Sequence, residues 1–300
     1  MNKTRVLIAG ASGQLGHELV RSAPESVDLI ALDETQLDIT GQASVSKAVD
    51  SISPDWIINA AAYTAVDKAE QQSELAYRVN RDGAINLALA AKQADKKLIH
   101  ISTDFVFDGT QSSPYQVADK PNPKSVYGAS KQAGDEHVMS ILSGKVLIIR
   151  TAWVYSSHGQ NFVKTMLKLM AERNELGIVA DQAGTPTWTR TLAQVIWKSM
   201  GQELTGIHHC TDAGVASWYD FAVAIYEEAK TLGLLDINHD CEIMPISTKD
   251  YPAPAVRPAS SVLDKTITWE ALDIKPLHWR ESLRYMMKEL LTDQKQPGRT

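Results

Sequence analysis

The sequence Arg5-Val-Leu-Ile-Ala-Gly-Ala-Ser-Gly-Gln-Leu-Gly16 joins an apolar run to three glycines in the spacing G-x-x-G-x-x-G. The run that ends at Ala9 predicts a buried strand, and residues 14–23 have the apolar spacing of an amphipathic helix. Glycine at a strand-to-helix turn permits a sharp bend and close approach to a pyrophosphate, which the unpaired N–H groups of the helix N-terminus bind. The stretch therefore predicts a dinucleotide-binding turn, with an ordinary glycine-rich turn as the alternative. Its predicted cofactor-binding residues are Gly10, Gly13, Gln14, Leu15 and Gly16.

Apolar strands and helical segments continue to alternate through the first half of the chain. The predicted elements are strands at 28–32, 55–59, 97–101 and 145–150, and helices at 44–52, 67–94 and 127–142. Strands that are apolar along their whole length and separated by helices indicate a parallel sheet covered on both faces. The predicted fold class is therefore α/β, with a doubly wound parallel sheet of the Rossmann type. Residues 176–179 predict one more strand of this sheet.

The character of the sequence changes near residue 180. Beyond it the helical segments are separated by irregular stretches, including a loop that prolines at 252, 254 and 258 keep non-helical. We therefore predict an NAD(P)-binding domain at 1–180 and a smaller, mainly substrate-binding C-terminal domain at 181–300. This boundary is approximate, and the chain is free to cross between the two domains.

Composition excludes several classes of function. With 36 acidic and 30 basic residues the formal net charge is −6, and no basic run suggests a nucleic-acid surface. No apolar run approaches the roughly 18 residues that a membrane helix needs. The two cysteines, Cys210 and Cys241, form no C-x-x-C pair, so the sequence favours the cytoplasm over a secreted disulfide scaffold. No metal site is predicted, because His208 and His209 lack a third ligand nearby in sequence.

Acidic residues follow the second predicted strand. Asp33 ends that strand 20 residues after Gly13 (33 − 13), where a carboxylate meets the adenosine ribose hydroxyls in dinucleotide-binding folds. Capping of the following loop is the alternative role for Asp33. Asp38 and Ile39 come next, near the expected adenine, and Asp38 suits the N-cap of the following helix equally well.

The sequence Tyr127-Gly-Ala-Ser-Lys131 places a phenol and an ammonium four residues apart, on one face of a predicted helix. The pattern alone is common on solvated helices. Here, however, the helix follows the strand that ends in Ser102-Thr103-Asp104, and active sites of such sheets lie at the carboxyl ends of the strands. A lysine cation favours the phenolate and would lower the pKa of the tyrosine from about 10. Tyr127, Lys131 and Thr103 are therefore the predicted catalytic residues.

Longer segments give these features a specific resemblance. The segments are Asn59-Ala-Ala-Ala-Tyr-Thr-Ala-Val-Asp-Lys-Ala-Glu70, Ser102-Thr-Asp-Phe-Val-Phe-Asp-Gly109, Val126-Tyr-Gly-Ala-Ser-Lys131, Arg150-Thr-Ala-Trp-Val-Tyr155, Asp181-Gln-Ala-Gly-Thr-Pro-Thr187, Ser217-Trp-Tyr-Asp-Phe-Ala222 and Arg257-Pro258. With the glycine turn they resemble extended short-chain dehydrogenase/reductases and, more narrowly, the dTDP-4-dehydrorhamnose reductase family. The resemblance covers almost the whole chain. One departure is Val256, where the family often has a second arginine before Arg257-Pro258.

The resemblance implies a reaction and roles for individual residues. Hydride from NADH or NADPH would reduce the C4 ketone of dTDP-4-dehydro-6-deoxy-L-mannose to give dTDP-L-rhamnose. Tyr127 would donate the proton, and Lys131 would hold a ribose hydroxyl of the cofactor. The further implied contacts are Ala61, Ala62 and Tyr63 with the cofactor, and Thr103, Asp104, Trp153 and Arg257 with the dTDP-sugar. Trp153 would also suit a packing role at a strand end, and Arg257 a surface salt bridge.

Alternatives on the same fold remain open. An epimerase or dehydratase would regenerate its bound cofactor, and dehydratases typically carry an Asp-Glu pair where this chain has Asp104-Phe105. A non-catalytic regulatory subunit with a reductase fold would not need Tyr127 and Lys131. Members of the resembled family can be homodimers with Mg²⁺ between the subunits, but no pattern in this sequence indicates such a site.

Overall fold

The structure is a computed structural model that describes residues 3–295, so the outer ends of both predicted domains lie outside the described residues. The strands are β1 (Thr4–Ala9), β2 (Val27–Leu32), β3 (Trp56–Asn59), β4 (Lys97–Thr103), β5 (Val146–Thr151), β6 (Val154–Tyr155), β7 (Glu175–Val179), β8 (Ala183–Gly184), β9 (Thr187–Trp188), β10 (Gly206–His209), β11 (Ala216–Ser217) and β12 (Glu242–Ile246). The α-helices are α1 (Gln14–Arg21), α2 (Gln42–Ile52), α3 (Val66–Ala69), α4 (Ser73–Tyr77), α5 (Ala84–Gln93), α6 (Val126–Leu142), α7 (Phe162–Glu172), α8 (Thr189–Gly201), α9 (Trp218–Leu232), α10 (Thr266–Leu272) and α11 (Trp279–Lys295). A π-helical turn at Arg78–Gly83 and 3₁₀ turns at Asp104–Val106 and Thr248–Asp250 complete the set.

Six strands form one parallel sheet in the order β10-β5-β4-β3-β1-β2. Apolar side chains cover both faces: Leu19 of α1 and Ile196 of α8 pack on one, and Val45 of α2 and Val138 of α6 on the other. The strand order reverses at β1, between β2 and β3, and ligands of such sheets bind outside the carboxyl ends at this point. The predicted doubly wound α/β fold is confirmed.

Residues after β5 build a second core beside the sheet. Met166 of α7, Phe221 of α9 and Met287 of α11 are among its buried members. Between these helices the chain returns to the first layer, since α8 packs on the sheet and β10 is one of the two edge strands of the sheet. The chain thus crosses between the two cores more than once, and the division at residue 180 stays a prediction.

Two elements differ from those predicted. Residues 176–179 lie in β7, which pairs with β12 in a separate two-stranded parallel sheet and not with the main sheet. A short strand is apolar whether it lies in the main sheet or in a separate one. The local sequence of residues 176–179 therefore does not indicate which strand it pairs with. The helix predicted at 67–94 is divided into α3, α4, the π-helical turn and α5. Asn80 in the π-helical turn bonds the backbone N–H and carbonyl of Tyr63, which ties this turn to the loop after β3.

None of the helices among residues 3–295 combines the length and the apolar character needed to cross a bilayer.

Candidate active site

The glycine-rich turn brings the ends of β1 and β3 into close contact. Gly10 has φ +88°, and a Cβ there would lie 2.6 Å from the backbone N of Ala61. A Cβ on Gly16 would lie 2.2 Å from the carbonyl O of Gly10. Gly13 is the N-cap of α1 and has no side chain to bond the first N–H groups of the helix. Those groups are therefore available to an anion, as a dinucleotide pyrophosphate requires.

A loop from the later part of the chain closes over this turn. Asn161 Nδ2 donates to Gln14 Oε1 at 2.9 Å, and Ser156 Oγ donates to the same atom at 3.3 Å. The ring of His158 stacks on that of His17 with 3.9 Å between centroids. The start of α1 is thus held by side chains that lie 142 and 147 residues further along the chain.

Ala61, Ala62 and Tyr63 lie directly after β3, half-buried and next to the glycine turn. The N–H of Tyr63 donates to Asn80 Oδ1 at 2.8 Å, and its hydroxyl donates to Gln72 Oε1 at 2.8 Å. These bonds fix the loop at the carboxyl edge of the sheet, in the position implied for cofactor contacts.

Asp33 follows β2 and caps the turn after it. Its Oδ1 accepts bonds from the Thr35 hydroxyl at 2.7 Å, the Thr35 N–H at 2.9 Å and the Gln36 N–H at 3.0 Å. These bonds lower the pKa of Asp33, and the bond from the Thr35 hydroxyl has the largest effect. The loop-capping role is therefore present in the structure, and a ribose would use the second carboxylate oxygen.

Asp38 and Ile39 take local structural positions. Asp38 Oδ1 accepts from the Thr40 N–H at 2.9 Å, whereas the N-cap of α2 is Gly41. The alternative that Asp38 caps this helix is wrong, because the N-cap lies three residues later, at Gly41. Ile39 is 5% exposed and packs against Gly83, so its side chain offers little surface to a ligand.

Tyr127, Thr103 and Asp104 meet at the carboxyl end of β4. Tyr127 lies in the first turn of α6, and Thr103 hydrogen-bonds to it. Thr103 Oγ1 donates to Asp104 Oδ1 at 3.0 Å. Gly128 lets α6 approach this point closely, since a Cβ there would lie 2.2 Å from the carbonyl O of Phe105. The structure thus brings together two of the three residues predicted to be catalytic.

Tyr127 is a neutral phenol at neutral pH. Burial raises its pKa to about 12, and the hydrogen bond between Tyr127 and Thr103 offsets only part of that rise. Lys131 is not among the groups that shift this pKa, and its Nζ donates to the carbonyl O of Ile101 at 2.6 Å. The predicted lowering of the tyrosine pKa by Lys131 is therefore wrong. A neutral phenol is nevertheless the form that can give a proton to a developing alkoxide.

Asp104 is buried beside Tyr127. Burial raises its pKa to about 6, against the hydrogen bonds from Ser261 and Thr103, which lower it. Asp104 therefore lies close to its titration point at neutral pH, next to the phenol.

Trp153 follows β5, whose end pairs with the end of β4. Its ring stacks on Trp218 with 3.5 Å between centroids, and a Cβ on Gly184 would lie 2.5 Å from it. Trp218 also lines a cavity of about 990 Å³ in the second core, together with Phe162, Arg173, Lys249 and Arg257. The cavity has apolar walls and three cationic side chains against one carboxylate, that of Glu175, which suits an anionic ligand with an aromatic part.

Arg257 connects the rim of this cavity to the loop region after β3. Its Nη2 donates to Asp67 Oδ2 at 2.6 Å, and its Nη1 donates to the carbonyl O of Ala255 at 3.4 Å. The bond from Arg257 lowers the pKa of Asp67. The predicted salt bridge of Arg257 is therefore present, and its side chain, 23% exposed, also lines the cavity.

Several polar residues near Lys131 were not singled out from the sequence. They are Asn59, His100, Ser102, Asp135 and Arg150, all at most 3% exposed. A signal was available in β4 and β5, where His100 and Arg150 directly adjoin the runs Leu98–Ile99 and Val146–Ile149 of apolar residues. Among residues 3–295 no group of three or more His, Cys, Asp or Glu side chains is arranged to hold a metal ion.

Comparison with known proteins places this geometry in a family. Residues 4–292 match the family model described as RmlD substrate binding domain. The chain belongs to this family. It is 42% identical to dTDP-4-dehydrorhamnose reductase of Aggregatibacter actinomycetemcomitans, over 93% of this chain and 97% of that protein. It is 41% identical to the spore coat polysaccharide biosynthesis protein SpsK of Bacillus subtilis, over 95% of this chain and 98% of that protein.

A solved dTDP-4-dehydrorhamnose reductase structure has the same fold. The crystal structure of dTDP-4-dehydrorhamnose reductase from Bacillus anthracis in complex with NADP superposes with a TM-score of 0.90. The two chains are 38% identical, and the match covers 96% of this chain and 99% of that one. Fold and family therefore agree along nearly the full length of both chains.

Proposed function

We propose that this protein is an NAD(P)H-dependent dTDP-4-dehydrorhamnose reductase, which reduces the C4 ketone of dTDP-4-dehydro-6-deoxy-L-mannose to give dTDP-L-rhamnose. The observation that carries the proposal is the meeting of Tyr127 and Thr103 at the same sheet edge as the glycine turn. Relatives of 37–42% identity along nearly the whole chain bear the reductase name. The protein is accordingly an oxidoreductase of the dTDP-rhamnose pathway.

The residues present fit a dinucleotide. Gly10 and Gly16 let the backbone of the turn pack closely against Ala61 and against itself, and the start of α1 offers N–H groups to the pyrophosphate. Lys131 would hold a ribose hydroxyl by a charge-assisted hydrogen bond. When bound, the reduced nicotinamide supplies the hydride.

Proton transfer is the task of the chain itself. Thr103 would hydrogen-bond the ketone oxygen, which positions it at the phenol of Tyr127. As negative charge develops on this oxygen, Tyr127 donates its proton as a general acid, worth typically about 10²–10⁴-fold in rate. Asp104 would lie against the sugar, and Trp153 would pack on the sugar ring. Trp153 stacks on Trp218, and Trp218 lines the cavity. This continuity supports a binding mode in which the sugar contacts Trp153 and the nucleotide part of the substrate occupies the cavity.

The test is the absorbance of the reduced cofactor at the nicotinamide band while the purified protein turns over the dTDP-4-keto sugar. A reductase consumes the cofactor in proportion to the sugar. An epimerase or dehydratase would change the sugar without net consumption, and a regulatory subunit would change neither. The cytoplasmic location, a homodimer and any Mg²⁺ at its interface stay predictions.

Arg257 is expected to bind the substrate pyrophosphate, exchanging its bond with Asp67 for a bidentate contact with phosphate. Arg257→Ala should therefore raise KM for the dTDP-sugar by about tenfold or more, with a smaller change in kcat. Steady-state kinetics with saturating cofactor measure this. Asp67→Asn is the matched control for loss of the ion pair alone. An unchanged KM in Arg257→Ala would leave Arg257 as a structural salt bridge only.

Asp33 is expected to disfavour the 2′-phosphate of NADPH. Its carboxylate is ionised at neutral pH, and the Gly10–Gly16 turn contains no Lys or Arg to compensate for a phosphate. We predict use of both cofactors with a preference for NADH of about tenfold, and a shift toward NADPH in Asp33→Ala. The ratio of kcat/KM values for the two cofactors measures it. A strong NADPH preference in the wild-type protein would contradict this role of Asp33.

A further inference from the structure

A buried network of charged and polar side chains lies behind Lys131. It consists of His100 and Ser102 from β4, Asp135 from α6 and Arg150 from β5, and each is at most 3% exposed. Lys131 itself is 2% exposed. The roles proposed above give these four residues no task. Burial of the cations Lys131 and Arg150 with only the carboxylate of Asp135 costs free energy unless hydrogen bonds and ion pairs compensate for the lost hydration.

The hydrogen bonds determine the tautomer of His100. The N–H of Ala61 donates to Asn59 Oδ1 at 3.2 Å, so the amide Nδ2 of Asn59 faces His100. That Nδ2 lies 3.0 Å from His100 Nδ1, which must then accept. The ring proton is therefore on Nε2, 3.5 Å from Asp135 Oδ1, and Nε2 cannot accept from Lys131 Nζ, which lies 3.4 Å away. Burial, and next the charge of Lys131, hold the pKa of His100 well below its ordinary value, so the ring is neutral.

Asp135 is the carboxylate of this network, and Lys131 and Arg150 are its two cations. Its Oδ2 accepts from the Ser102 hydroxyl at 2.7 Å and lies 3.6 Å from Arg150 Nε. It is four residues after Lys131 on the same helix, hence on the same face. Burial raises the pKa of Asp135, while Lys131 and Arg150 lower it.

The surroundings of Lys131 are otherwise without negative charge. Nζ donates to the carbonyl O of Ile101 and lies 3.4 Å from Nε2 of His100. On the other side of α6, Asn80 of the π-helical turn is uncharged and bonds Ser130. The charged groups facing Lys131 in the described part of the chain are thus Asp135 and, beyond it, Arg150, with the neutral His100 beside them.

We propose that Asp135 is a positioning residue for Lys131: its carboxylate, held by Ser102 and Arg150, keeps the buried ammonium protonated for binding the cofactor ribose. The inference rests on the proposed cofactor site. Burial lowers the pKa of Lys131 to about 8, and Asp135 acts against this decrease. Below that pKa the lysine is a cation that can donate to a hydroxyl. As pH rises through about 8 it becomes neutral, and the charge-assisted bond is lost.

The test is the Kd of NADH between pH 6 and pH 10, measured by direct binding titration without the sugar. We expect the wild-type affinity to decrease above about pH 8. In Asp135→Asn the decrease should begin about one pH unit lower, so that binding is about fivefold weaker at pH 8 and nearly unchanged at pH 6. Asp135→Glu should restore the wild-type profile. Glu136→Gln removes an exposed acid one residue away and is the matched control.

The outcomes separate this inference from the proposed function. If the wild-type protein does not bind NADH or NADPH, the proposed function fails. If it binds and Asp135→Asn keeps the wild-type pH midpoint, the role of Asp135 is overturned. Should Asp135→Asn not fold, ¹⁵N NMR of the wild-type imidazole rings provides the decision. A neutral His100 protonated at Nε2 between pH 6 and pH 9 supports the network, and a charged ring or a proton on Nδ1 overturns it.

Discussion

Tyr127→Phe should decrease kcat by about 10²–10⁴-fold while cofactor binding stays nearly unchanged. The change removes one hydroxyl, which takes part only when the alkoxide is protonated, whereas the dinucleotide is held by the glycine turn. With the pKa of Tyr127 raised to about 12 by burial, the lost group is a protonated phenol throughout the neutral range. Single-turnover and steady-state rates, together with the Kd of NADH, measure the two effects separately.

Tyr285→Phe is the control for this experiment, because Tyr285 lies on α11 and is 44% exposed. It should retain the wild-type kcat. A Tyr127→Phe protein that keeps more than half of the wild-type kcat would remove this phenol from the mechanism.

Gly16→Ala should weaken cofactor binding by about 30–150-fold, corresponding to about 2–3 kcal/mol of overpacking. The added methyl group would lie 2.2 Å from the carbonyl O of Gly10, and a backbone atom cannot rotate away as a side chain can. The turn must therefore open, which displaces the N–H groups that face the pyrophosphate. The Kd of NADH and the thermal melting temperature are measured together.

Gly201→Ala is the matched control, since Gly201 ends α8 and nothing lies within 4 Å of the added Cβ. Its Kd should equal that of the wild-type protein, and its melting temperature should be equal or slightly higher, because Ala restricts the unfolded chain more than Gly. Wild-type values of both quantities in Gly16→Ala would show that the turn does not hold the cofactor as described.

Local sequence was sufficient to predict the elements that form the first part of the site. The glycine spacing after β1 and the four-residue interval between Tyr127 and Lys131 are set within one turn or one helix. Parallel strands place their carboxyl ends at a common edge, so the meeting of Thr103 with Tyr127 follows from the fold class.

Long-range contacts account for what the sequence did not predict. The pairing of β7 with β12 joins segments over 60 residues apart, as Leu176 opposite Ile243 illustrates. Arg257 and Asp67 are 190 residues apart, and neither has a local signal for its partner. The pKa of Tyr127 was predicted in the wrong direction because burial dominates it, and burial depends on every element packed around α6.

Transfer of label from cofactor to sugar tests the central claim most directly. With NADH deuterated at C4 of the nicotinamide on the transferred face, the purified protein should convert the dTDP-4-keto sugar to dTDP-L-rhamnose carrying one deuterium at C4. NMR and mass spectrometry of the product locate the label. A product without deuterium at C4, or a sugar changed with the reduced cofactor left intact, would contradict the assignment as a reductase.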